Sequence, residues 1–508
     1  MKAPNFLRGV WTFGGETLDV GVEGSPWDVA NPSKAFAEQL HSFEWLGDLC
    51  SLGPSGLEKA RWLFAEWTKE FGDWNTFSWR ADLTARRVCA ILYEGADLLE
   101  FEGNQPLLNT LSRQARHLVT SGPLIRDPNA SAQAAIAEAL TALAFDEERP
   151  RLAVALDGVQ DAYSDIILSD GGHAKRSPNA LLQRLQDITA LDEALLRAGQ
   201  EAPPWLAELG QAMAKMAHFF HAPDDRFYPL HGEGRDATSP WRSLLSGYDA
   251  PSSFAYSIKS GYQKLSKGAL DLFVDASGAG QKQHTVGAHA SAFAFQLFEA
   301  DKPLFGPCGG HSDLAIGYRE ALRRSAAHCV LALEETSSAR FLRDGPRGGL
   351  LGPADLTAKR FEHADGGVHL ELQHAGWRAD YGLLYRRRLE LDDQGDVFSG
   401  EDALFAPLDW TENTRHDPKS YSIRFHAAPS VQVDSHGREN DLEIRSPTGS
   451  LWRFSTDHGN LGVEPSIWVD DGGLIVDTVQ IVISSVADPN GDGSSAPNRI
   501  RWRLRRIG

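Results

Sequence analysis

A chain of 508 residues is too long for one ordinary core and divides by expectation into two or three domains. Hydrophobic residues make up 42%, no apolar run reaches membrane-spanning length, and the formal charge is −19, with 22 Lys and Arg against 35 Asp and Glu in residues 1–250. Such a field disfavours nucleic acid and excludes long-range steering of a polyanion, so an acidic partner requires a locally basic cleft.

The first residues, MKAPNFLRGVWTFGGETLDV, lack a basic region followed by an apolar stretch. A cytoplasmic location is therefore the default expectation, with the periplasm and the cell envelope left open. Residues 1–28 read as a small arm of Gly-rich, β-like runs. From residue 29 to about 250 apolar residues recur at spacings of three and four, as in GLEKARWLFAEWTKEF, ASAQAAIAEALTALAF and PNALLQRLQDITALDEALLRAG. About eight amphipathic helices joined by short linkers suggest helical hairpins packed side by side.

The helical period stops near residue 225, and from Ser260 onward alternating runs take over, among them ALDLFVDA, AFAFQLF, GVHLELQHAGW, SYSIRFHAAPSVQVDS and RIRWRLRRI. Their turns mark a large antiparallel β domain of sandwich type over 251–508. Helices first and strands afterwards exclude a βαβ architecture.

Four segments carry candidate chemistry. In SDGGHAKRSPNALLQRL, Asp170 and His173 surround a glycine pair, and Arg176 precedes a helix opened by Ser177 and Pro178 with Asn179 in its first turn. That arrangement offers backbone approach and positive charge to an anion. It equally describes capping by Asp170 and Ser177. HAPDDRFYPLHGEG places Tyr228 and His231 between the two halves, as proton-transfer groups or as packing anchors. His289 and His328 each head a strand-like run, so two strands can bring their imidazoles to one metal or one substrate; His374, in LQHAGWRADY, is a companion. The cysteines, Cys308 among them, are widely spaced and read by default as buried thiols.

With those residues assembled, the sequence resembles the heparinase II/III-like proteins over nearly its whole length, through DGGHAKRSPN, SGYQKL, the block from His289 to His328, and LQHAGWRADYGLLYRRRLELDDQGDVFSGEDAL. The resemblance implies an incomplete (α/α) toroid followed by an antiparallel β-sandwich. It further implies a polysaccharide lyase that cleaves an acidic, uronate-containing polysaccharide or oligosaccharide by β-elimination, without nucleic-acid binding or membrane insertion. That reaction needs a group to neutralise the carboxylate, a base for C5 and an acid for the leaving O4. For a lyase, the residues of this chain offer Arg176 or His173 to neutralise the carboxylate, Tyr228, roughly where the family has its toroid tyrosine, as base, acid or both, His231 as the other proton-transfer group, and Asp170, Asn179 and His374 as substrate-binding candidates. His289 and His328 match metal-binding histidines, and Cys308 falls where the third ligand is expected, which implies one divalent ion, zinc or calcium. The catalytic histidine of the family falls on Gly287, and its toroid Asn-His pair is absent where LVTSGPLIRDPNASAQAAIAEAL stands. Two other readings share the scaffold: a non-catalytic glycan-binding or envelope-biogenesis protein, and a glycoside hydrolase using carboxylates such as Asp170, Asp224, Asp225 and Glu233.

Overall fold

The computed structural model describes residues 3–231, 241–249, 254–280, 282–342, 348–407, 417–435 and 440–508. Glu233 and the junction at 250–251 lie outside them.

Eight long helices fill the first half, from Lys34–Ser42 to Pro204–Phe219. Their starts follow from local chemistry. Ser33, Asp127 and Ser177 each accept a first-turn backbone N–H, and Pro54, Pro128, Pro178 and Pro204 occupy first-turn positions where a missing N–H costs nothing. Three helices, Ala81–Leu99, Pro128–Ala144 and Pro178–Arg197, touch one another in succession, and each also packs on the helix that follows it. This is the two-layer arrangement of a toroid. Pro128–Ala144 is the middle inner helix, and its alanines let neighbours approach from several sides at once, with Ala132, Ala134, Ala137 and Ala139 all buried. The N-terminal arm adds a short helix, Ala3–Leu7, and a hairpin, Val10–Phe13 with Glu16–Asp19. Its Trp11 and Phe6 stack at 4.7 Å, and Trp11 meets Trp45 edge-on, so the arm belongs to the helical core.

The second half is a β-sandwich. One layer is an eight-stranded antiparallel sheet built from strands between Thr357 and Arg506. The facing layer combines a five-stranded sheet, Tyr256 to Phe305, with a four-stranded one that includes Lys419–His426 and Ile475–Ala487. A bridge between Phe305 and Ala427 joins these two. Between the layers Phe295, Phe398, Phe425 and Trp502 pack ring on ring. The one buried ion pair there, among the described residues, is Arg387 with Asp402, and its spare hydrogen bonds go to the Phe293 and Cys329 carbonyls and to Trp502 Nε1.

The five-stranded sheet is shared by both halves. Tyr262, Phe273 and Phe298 face the helices and join Phe219, Phe220 and Tyr228 in the helical core, while Leu272, Val274 and Leu297 point into the sandwich. A strand buried on both faces needs unbroken apolar sequence, and Phe295–Glu299 is buried at every position. The two domains thus share one continuous apolar seam.

Candidate functional site

Two polar regions stand out, one sealed in the domain seam and one open on the helical domain.

The sealed region is organised by Arg176. Its φ of 60° is left-handed, an uncommon state for a side-chain-bearing residue, and the guanidinium reaches into the β domain. Arg176 pairs with Asp275 at 2.7 Å, donates to the carbonyls of Ser260 and Gly261, and lies 4.2 Å over the Tyr262 ring. Asp275 also accepts from Ser291 Oγ and from the backbone of Ser277 and Gly278. Burial works to raise this carboxyl, but Arg176, His231 and those hydrogen bonds together hold it below its ordinary value. Beside the pair, His231 Nδ1 accepts from the His289 N–H at 3.2 Å. His231 Nε2 lies 3.2 Å from Arg176 Nη1 and 4.0 Å from Asp275 Oδ2, so the imidazole is held between the two members of the ion pair. His289 Nδ1 and His328 Nε2 are 3.2 Å apart. Burial first, then neighbouring positive charge, pushes His231 down to about 3 and His289 well below its ordinary value; burial pushes His328 down to about 4.

Asp170 closes the same seam, accepting from the N–H groups of Lys259 and Ser260 and from Ser260 Oγ. Gly172 permits this approach, since a Cβ there would fall 1.9 Å from Ser260 Oγ.

The open region is a cleft of about 1020 Å³ on the helical domain. It is lined from five separated stretches: Glu38 and Glu44, residues 74–86, His117 to Gln133, the loop at His173 and Lys175, and the inner helix from Ala180 to Arg184. Its acids are mostly taken. Glu38 and Asp82 are held by Arg80, and Glu44 by Arg86. Asp127 caps the Pro128 helix, and Arg184 pairs with the buried Asp187. At the rim Trp74 is 64% exposed and presents a bare ring face. The most informative group is His173. Its Nδ1 accepts from the Lys175 N–H at 3.0 Å, which puts the ring proton on Nε2, and Nε2 has no partner although it is buried. Burial, then the charges of Lys175, Arg184 and His284, hold the imidazole well below its ordinary value, so it is neutral at physiological pH. Asn129 Nδ2 is a second buried, unsatisfied donor lining the cleft. Buried polar groups without partners are costly, and two donors in one cleft call for an acceptor-rich ligand.

The expected site residues divide accordingly. His173 lines the cleft. Asn179 is half-buried in the first turn of the Pro178 helix, one residue before the cleft-lining Ala180. Arg176 and His231 are fully committed to the seam, and Asp170 is a domain staple. Tyr228 is completely buried, stacked on Phe273 at 3.9 Å with its hydroxyl donating to Asp271 at 2.6 Å, which makes it a packing anchor. His374 lies inside the sandwich between Phe293 and Tyr385, with Nδ1 accepting from Gly376 N–H. Of the hydrolase carboxylates, Asp224 pairs with Arg226 and Asp225 with Arg242, outside the cleft. Gly287 has a φ of 79°, a backbone that a histidine would adopt only under strain.

For a divalent ion, His289 and His328 are close enough to share one. Cys308, however, sits with its Sγ 3.5 Å from His426 Nδ1 and 4.0 Å from Ser466 Oγ. Among the described residues no three His, Cys, Asp or Glu groups converge as a metal site. The expected three-ligand set does not fit one ion, and no chemistry is routed through it.

Sequence reading missed Asn129, Trp74 and His117. Asn129 stands in the stretch where the family's toroid Asn-His pair is absent, and Trp74 lies in a loop with no motif. His117 Nε2 lies 2.8 Å from the Trp79 carbonyl and donates to it, which leaves its Nδ1 as an acceptor.

Comparison with known proteins matches residues 250–503 to the family described as heparinase II/III-like, C-terminal. FtsZ-localized protein C of Caulobacter vibrioides is 32% identical over 98% of this chain and 86% of its own length. Among solved structures, heparinase III superposes with a TM-score of 0.71 at 13% identity over 96% of this chain and 80% of that one. The heparan sulfate lyase HepC of Pedobacter heparinus gives 0.63 at 14% identity, over 99% and 82%. At those identities the two lyases establish the fold, toroid plus sandwich. No described helix is long and apolar enough to cross a membrane.

Proposed function

This chain belongs to the heparinase II/III-like family, and on that premise we propose that it is a polysaccharide lyase-like protein whose toroid cleft binds an acidic, uronate-containing glycan without cleaving it. One observation carries this reading: among the described residues, none satisfies the buried cleft donors His173 Nε2–H and Asn129 Nδ2. A uronate offers both a carboxylate and hydroxyl oxygens to them, and Trp74 offers a ring face for a sugar to stack on. Lys175 adds positive charge on the same loop.

What supports binding over cleavage is the proton inventory. β-Elimination needs a base with a free lone pair near C5. His173 spends its lone pair on Lys175 N–H. Tyr228 and His231 are sealed in the seam, and glycine stands at 287. The relative named as FtsZ-localized matches almost the whole chain, which supports a site of action beside FtsZ for this protein as well.

A second reading, slow β-elimination, is favoured by His117, whose Nδ1 retains a lone pair in the cleft. Incubation with a panel of uronate polymers, followed by absorbance of the unsaturated product and by a parallel binding assay, separates the two. Binding without product is expected. Product that disappears in His117→Ala would replace the binding reading with the lyase one.

A further inference from the structure

The eight-stranded sheet turns its outer face to solvent, and that face carries charge of a different balance from the rest of a −19 protein. The strand Arg499–Arg506 alternates strictly: Ile500, Trp502 and Leu504 are buried, while Arg501, Arg503 and Arg505 point outward. Reading across strands in register separates two neighbouring rows. The first runs Arg501, Glu401, Arg388, Glu371, Lys359, an alternating ladder in which cross-strand charges satisfy one another, with Arg501 3.0 Å from Glu401 and Arg388 2.8 Å from Glu371. Its purpose is served within the sheet.

The second row runs Ser455, Arg503, Ser399, Glu390, His369, Phe361. Here the cation has a serine on each side, and among the described residues no carboxylate reaches ion-pair distance of Arg503. The short serines between taller neighbours leave a trough of about 900 Å³. At its far end Phe361, 42% exposed, stacks on His369 at 4.5 Å and 16°, and His369 stacks in turn on His363 at 4.7 Å. The trough therefore joins Arg503, two serine hydroxyls and the carboxylates Glu390 and Asp457, beside the mutually paired Arg501, Glu401, Arg388 and Glu371, and His369 and His363 stack at one end with Phe361 just beyond them.

We propose that this trough is a second glycan subsite, taking an oligosaccharide with one carboxylate per repeat; the proposal rests on the reading of the protein as an acidic-glycan binder. The mixture of groups selects that ligand. Glu390 and Asp457 oppose a polyphosphate or a nucleic acid, charged on every unit, more than an oligosaccharide whose carboxylates are spaced by neutral sugars and whose hydroxyls these two groups can accept from. Arg503 takes the carboxylate, and the Phe361–His369 step takes the apolar face of a sugar ring. The site lies on the sandwich, whereas the cleft lies on the toroid, so one long chain can be held at two points and gain avidity from the link.

The test uses the whole protein with labelled octasaccharides of hyaluronan, alginate, polygalacturonate and heparan sulfate. Wild type is compared with a trough variant, Arg503→Glu with Phe361→Ala, and a cleft variant, His173→Phe with Asn129→Ala. Both trough positions are exposed, so an unchanged melting temperature is expected there. At least one oligosaccharide should bind wild type at two sites, with one of them weakened tenfold or more in the trough variant and kept in the cleft variant. A trough variant that binds like wild type overturns the proposal and leaves the cleft reading intact. A cleft variant that binds like wild type, with binding lost in the trough variant, removes the cleft reading and keeps the trough. Absence of binding by wild type to all four overturns both.

Discussion

The seam and the cleft are built from the same kinds of side chain and use them in opposite ways. In the seam Arg176, Asp275 and His231 spend their hydrogen bonds on one another and on backbone groups of both domains. In the cleft His173 satisfies one nitrogen and leaves the other, a donor, without a protein partner. A saturated buried network holds structure, and an unsaturated one waits for a ligand. Only two residues separate His173 from Arg176, yet they fall on opposite sides of this division.

The sharpest way to break the comparison is Asp275→Asn. It strands the Arg176 charge in a dry interior and should cost about 3–5 kcal/mol of stability, read from denaturant unfolding. Unchanged stability would mean that the seam is not saturated as described.

Acid should expose the seam next. His231, His289 and His328 are held neutral in the folded state, with His328 down to about 4, while the unfolded chain protonates them near 6.5. Their contribution is thus fully present above about pH 6.5 and is lost as pH falls from there toward the folded values, roughly 3 kcal/mol for His328 alone by pH 4. Asp275, depressed by Arg176, loses its own contribution only below its ordinary carboxylate value. Melting temperature measured from pH 7.5 to 5 should therefore fall, and His328→Asn should flatten that slope. A flat wild-type profile would contradict neutral burial of the histidines.

Smaller effects belong to the cleft. His173→Phe keeps the ring volume and removes the Nε2 donor, so glycan affinity should drop about tenfold, near 1.4 kcal/mol. Melting temperature should move by no more than about 2 °C, as expected for a loss near 1 kcal/mol or less in a chain of this size. Smallest of all is the response to a chelator: His289 and His328 pair with each other, and Cys308 is drawn to His426, so EDTA should leave the melting temperature unchanged. A fall on chelation, absent in His328→Ala, would show that the histidine pair holds an ion.

How much of this was legible in the sequence depended on distance along the chain. Helical periodicity and strict alternation carry local rules, so the order of toroid and sandwich could be read directly, as could the alternating burial of RIRWRLRRI. The juxtaposition of His289 and His328 was legible too, because each heads a run that pairs into the β domain. Side-chain direction was not. The left-handed backbone at Arg176 sends its guanidinium across the seam, and nothing in SPN or KRS announces that turn. Tyr228 looked like a loop residue but is drawn under the five-stranded sheet by Phe273. The cleft itself draws on five stretches of sequence, and Asn129 and Trp74 acquire meaning only when the toroid brings them to His173.

The central claim, that the open nitrogen of His173 marks an acidic-glycan site, is tested most directly by calorimetric titration of wild type and His173→Phe with the uronate octasaccharide that wild type binds best, with product absorbance followed in the same samples. The account predicts tenfold weaker binding at the cleft in the variant and no unsaturated product from either protein. Equal cleft affinity in the two, or steady release of unsaturated product by wild type, would contradict it.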